Sequence, residues 1–172
     1  MNMIAHFSLY SQQARTQQIR ELAQRHLQMV AEGYDQMVGY THDYNAAEGG
    51  AQMAGMQAVD PRDIVYGLDN PSTVAPQTGG GLDDRQILSA MLVCHKNSAK
   101  NHMAGSLEIA DPNIRQMAIN GAVSCSNMAY EIFLVMNRDG LYQVPTMHDH
   151  TAKTMLHTYQ PMNYPTEQRF DQ

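Results

Sequence analysis

Apolar residues recur three and four positions apart through Leu82–Tyr142, and two long helices joined by one tight turn account for the spacing. Leu82–Asp83–Asp84–Arg85–Gln86 is a helix start. Asp83 is the cap, Gln86 stands three residues on, and Leu82 and Ile87 bracket them as a hydrophobic staple. The pattern runs to about Ile109. Asp111–Pro112 then restarts the chain, with Asp111 as cap and Pro112 as the first helical residue. The second helix runs to about Asn137, where Arg138–Asp139–Gly140 supplies a terminal cation and a C′ glycine.

Each helix carries a seam at alternating spacings of four and three. The first holds Ile87, Met91, Cys94, Ser98, Asn101 and Gly105. The second holds Ile114, Ala118, Gly121, Cys125, Met128, Ile132 and Val135. Folding at Ala110 sets Ser98 opposite Gly121, Cys94 opposite Cys125, Met91 opposite Met128, and Ile87 opposite Ile132. The expectation is an antiparallel helical hairpin packed like a coiled coil. The second helix is also apolar outside its seam, along Ile119, Val123, Tyr130 and Phe133, so it needs cover from more than one neighbour. These four are candidate self-association residues. A long N-terminal helix over Phe7–Tyr44, with Ile19, Leu22, His26 and Met29 on its seam, completes an all-α bundle with packing between subunits.

The division expected is a long helix over 1–45, a Gly/Pro-punctuated arm or linker over 46–81, the hairpin over 82–142, and a C-terminal arm over 143–172. A short helix is expected over Ala46–Val59 and another over Met147–Tyr159. Ile64, Val65 and Tyr66 in the first arm, and Tyr159 and Tyr164 in the tail, are expected to anchor on a neighbouring subunit, because pure linkers rarely carry Ile-Val-Tyr.

The opening Leu82–Asp83–Asp84–Arg85, the mid-turn Asp111–Pro112–Asn113–Ile114–Arg115, and the closing Gly140–Leu141–Tyr142 with Pro145 together resemble the Coat F family of bacterial spore coat proteins. The resemblance covers little over a third of the chain, and Leu141 stands where the family has an aromatic residue. It implies a small ferritin-like helical protein of the spore coat, made in the mother cell and associating with itself and with other coat proteins.

Composition agrees with work done by surfaces. Only 16% of residues are charged, against about a quarter in ordinary domains, while 43% are apolar and 14 are methionine. Such a surface repels other protein weakly. A net charge of −6 argues against nucleic acid and anionic membrane as partners. Met1–His6 lacks the pattern of a secretion signal, and no apolar run approaches the ~18 residues of a membrane span, so the expectation is a protein kept inside the cell that makes it.

Candidate chemistry is sparse. A carboxylate-bridged dimetal centre needs Glu-x-x-His, and none of Glu21, Glu32, Glu108 or Glu131 has His three residues later. His95 and His102 share a helix face and can meet His26, which leaves a metal-binding or redox enzyme as the alternative reading. His148 and His150 flank Asp149 in the tail. Cys94 and Cys125 are expected neighbours, free or bonded. Neither has a charged partner that marks it as a nucleophile. The reading is therefore a structural protein with no catalytic residue, no metal and no cofactor. A second alternative is an adaptor that docks a partner helix beside Ile119 and Val123.

Overall fold

A computed structural model describes residues 3–43, 60–68 and 80–160. Among the described residues five α-helices follow in order: α1 (Met3–Gln13), α2 (Gln17–His42), α3 (Asp84–Ser106), α4 (Pro112–Arg138) and α5 (Asp149–His157), with a 3-10 turn at Pro61–Asp63. Among the described residues the only β-type pairing is two isolated bridges, so the protein is all-α. The short helix expected over Ala46–Val59, and Tyr164 in the tail, lie outside the described residues.

The caps of the hairpin are those its local sequence demands. Asp83 accepts from the Gln86 backbone N–H at 2.7 Å, and the Gln86 side chain accepts from the Asp83 N–H at 2.9 Å, closing a capping box. Asp111 accepts from the N–H groups of Asn113 and Ile114 ahead of Pro112. At the far end Gly140 takes a positive φ of 71°, and the Met136 carbonyl accepts from Leu141 and Tyr142. Between these ends α3 and α4 pack antiparallel along their length.

The N-terminal segment departs from expectation. It is two helices, not one rod: α1 and α2 reverse at Ala14–Thr16 and form a second hairpin. No proline or glycine forces the break. Asp84, in the first turn of α3, accepts from the backbone N–H of Arg15 at 2.7 Å and of Thr16 at 2.9 Å, and from the Thr16 hydroxyl. Thr16 takes an extended conformation and caps α2 without a side-chain bond to its own helix. The two donors freed by the break are thus satisfied from another element. Gln13 accepts from the Leu82 N–H nearby, and Arg138 donates to Gln18, so the start of α2, the start of α3 and the end of α4 share one end of the bundle. At the opposite end the Tyr40 hydroxyl lies 3.2 Å from Asp111.

Phe7, Ile87, Met91 and Ile132, none with any exposed surface, centre a core that also takes in Leu22, Ala23, Leu88 and Met136. All four long elements contribute. Because α1 has 11 residues and α2 has 26, α1 is about 16 Å long beside about 39 Å, and among the described residues the fourth edge of the bundle is covered for only part of its length.

The Asp84 carboxyl is pushed up by burial, but the bonds from Thr16 and Arg15 outweigh this and hold it below the usual carboxylate range. Its contribution is therefore present at neutral pH and is lost as pH falls through that lowered pKa. Asp84→Ala should lower unfolding free energy by about 1–3 kcal/mol at pH 7, measured by urea denaturation, with the difference from wild type shrinking in acid.

Candidate functional site

Two surfaces and one buried polar chain carry whatever chemistry this bundle has. The first surface is the outer side of α4. Tyr130 stacks on Phe133 with ring centroids 5.5 Å apart, and Phe133 meets Tyr142 edge-on at 5.1 Å. Tyr130 and Val123 are exposed, Ile119 and Phe133 half-buried. The Lys96 ammonium sits 5.2 Å from the Tyr142 ring. The first arm arrives beside this cluster. Asn137, itself buried, accepts from the Val65 N–H at 2.8 Å and donates to the carbonyls of Val65 and Tyr142. Gly67 N–H donates to the Val144 carbonyl at 2.9 Å. Residues 60–68 are thus an arm tethered through its backbone to its own chain. Their side chains face outward: Val65, Tyr66 and Leu68 are all exposed, and Ile64 is half-buried. Tyr159 is exposed past the end of α5. Nothing in the local sequence marks Asn137 as a clamp, because its partners lie in the arm 72 positions away and beyond the helix end.

The seam residues divide by depth. Ile87, Met91, Cys125, Met128 and Ile132 are buried, while Cys94, Ser98 and Gly121 are half-buried. Both thiols are free. Burial raises both pKa values, that of Cys125 to about 11 with Cys94 adding to the shift, so neither is a poised thiolate. The ring against Gly121 is that of His102, close enough that a Cβ there would stand 2.2 Å from its Nδ1. Helical side chains lean toward their own N-terminus, which carries His102 back over a position level with Ser98.

His26 and His95 meet in the core, both without exposed surface. His26 Nδ1 lies 3.1 Å from His95 Nε2, and His26 Nε2 lies 2.9 Å from Glu131, which also pairs with Arg25. A carboxylate only accepts, so His26 Nε2–H donates to Glu131. That bond, before any other cause, holds Glu131 below the usual carboxylate range. His26 Nδ1 and His95 Nε2 share one hydrogen, and His95 Nδ1 is left buried without a partner. The ring of Phe7 packs 4.9 Å from His95. Burial first, and His26 second, lower the His95 pKa to about 3. Both nitrogens of His26 are engaged, and His102 is two turns away on Gly121. Among the described residues no three His, Cys, Asp or Glu side chains gather as a metal site.

The second surface is the uncovered edge below α1. There a cavity of about 710 Å³ opens between the start of α1, the second half of α2 and the first half of α4. Met3, Met29, Met37, Met117 and Met128 line it, with His102 at one wall. Sequence reading assigned the methionines to core or interface in general and had no means to gather these five.

Residues 83–145, from the cap of α3 to the proline beyond Gly140, match the Coat F domain. Through this segment the chain is similar to the Coat F family. The match spans the α3–α4 hairpin and the start of the tail that docks the first arm, which bears out the resemblance read from the sequence. The chain is also similar to the spore coat protein F-like protein YhcQ of Bacillus subtilis (strain 168), at 24% identity over 162 residues, covering 94% of this chain and 74% of that protein. No solved structure matches it. No helix among the described residues is long and apolar enough to cross a membrane.

The His95 shift sets an acid limit on the fold. Below pH 6.5 the unfolded chain protonates His95 and the folded chain does not, down to about pH 3. Stability therefore falls with pH in that window, by up to ~1.4 kcal/mol per pH unit from this group. His95→Gln keeps a hydrogen bond to His26 without titrating. Its urea midpoints between pH 6 and pH 4 should fall less steeply than those of wild type.

Proposed function

We propose that this chain is a structural, self-associating component of the spore coat, made in the mother cell and assembled into the coat through its surfaces rather than through catalysis. One observation carries this reading: the aromatic outer side of α4, extended by the arm that Asn137 holds. Tyr130, Phe133 and Tyr142 touch one another, and Val65 and Tyr66 are held beside them with their side chains outward. Large aromatic rings with few rotatable bonds, on rigid helices, are the residues that carry binding energy in protein interfaces. The match of residues 83–145 to the Coat F domain and the similarity to a spore coat protein F-like protein supply the setting.

The histidine pair supports the same conclusion. Glu131, His26 and His95 are joined by hydrogen bonds that run from the bundle surface inward, and Phe7 packs over the innermost ring. A polar chain whose two rings are both fully buried specifies packing rather than presenting a reactive group. The partners proposed are further copies of this chain and other coat proteins, within a ferritin-like helical architecture.

The double variant Tyr130→Ser/Phe133→Ser tests the reading. These side chains lie outside the core centred on Ile87 and Ile132, so the circular dichroism spectrum should remain helical. Self-association measured by light scattering should weaken at least tenfold, and the variant should be depleted from extracted spore coats. A wild-type protein that stays monomeric at every concentration and is absent from the coat would overturn it.

A further inference from the structure

The methionine-lined cavity and α5 are each incomplete, and they complement one another. The cavity is the missing half of the bundle's fourth edge, where α1 stops at Met3 while α2 and α4 continue. It is apolar in its floor and carries Glu32 in its lining. α5 buries no residue. Yet Ala152, Met155 and Leu156 fall at i, i+3 and i+4, an apolar stripe along one side of α5 that Tyr159 follows just past its end, and Lys153 flanks it. Met155, Leu156 and Tyr159 are exposed at 55%, 71% and 82%. An amphipathic helix with its stripe in water and an apolar slot with its face in water have opposite needs, and Lys153 and Glu32 have opposite charge.

The slot of the same chain is out of reach. The tail is fixed at Val144, by Gly67, and at Tyr142, by Asn137. Asn137 stands nine residues beyond Met128 on α4, which at 3.6 residues per turn places the two on opposite sides of the helix and about 13 Å apart along it. Residues 145–148 span at most about 14 Å. They cannot cover that rise and also pass around a helix roughly 10 Å across. We infer that α5 seats in the methionine slot of a second copy of this chain, so that exchanged tails link the subunits. This deepens the self-association proposed above and rests on it, but uses the side of α4 away from Tyr130 and Phe133.

The test uses the full chain with both native cysteines replaced (Cys94→Ser, Cys125→Ala). One population carries Met37→Cys in the slot and the other Leu156→Cys on α5, and the two are mixed and oxidised. A disulfide-linked dimer should form in high yield from the mixture, well above that from a Tyr66→Cys and Met37→Cys pairing, which joins opposite sides. Separately, Gly33→Leu fills the slot at a position where an added Cβ meets nothing within 4 Å, so the bundle should keep its fold. Its self-association constant should weaken at least tenfold, as should that of Met155→Asp/Leu156→Asp, in which no buried residue is changed. The proposal is overturned if cross-linking of the mixture does not exceed the control, or if a single chain carrying both Met37→Cys and Leu156→Cys closes on itself as a monomer. A protein that self-associates but is indifferent to Gly33→Leu and to the α5 variant rejects the exchanged tail and leaves the aromatic surface standing. A protein that never self-associates rejects both.

Discussion

One carboxylate decides how this bundle is put together. Asp84 belongs to the first turn of α3, where a negative charge already suits the helix terminus, and it also accepts the two backbone donors that a reversal at Arg15–Thr16 would otherwise strand. That lets the N-terminal segment fold back as a hairpin, bringing Phe7 and Tyr10 onto Ile87, Met91 and Ile132. A continuous helix over the same residues would run off the end of α3 and leave the core open.

Inside the bundle the polar chain Arg25–Glu131–His26–His95 links α2, α4 and α3 in one register. Apolar side chains tolerate sliding past one another, whereas a buried imidazole off its partner loses a hydrogen bond that water cannot replace. Three long helices rich in methionine and alanine need such a device, since flexible thioethers specify packing poorly.

The two faces of α4 then divide the work. One side carries Tyr130, Phe133 and the arm clamped by Asn137, and the other forms the wall of the methionine slot. Among the described residues neither side of this helix is covered completely.

Local chemistry alone dictated the ends of α3 and α4. Caps at Asp83 and Asp111 and the glycine at 140 act within three or four residues of themselves, so a linear reading finds them, and the Coat F resemblance rests on those same short motifs. The all-α class follows from helical spacing in the same way. Residues that act at a distance were illegible. The break at Thr16 depends on Asp84, 68 positions on; the docking of the arm depends on Asn137, 72 positions from Val65; and the pairing of His26 with Glu131 spans 105. A side chain's hydrogen-bond partner is chosen by which elements fold against each other. Only the packed bundle could show that one presumed rod is a hairpin, that the arm lies on its own chain, and that five scattered methionines line one slot.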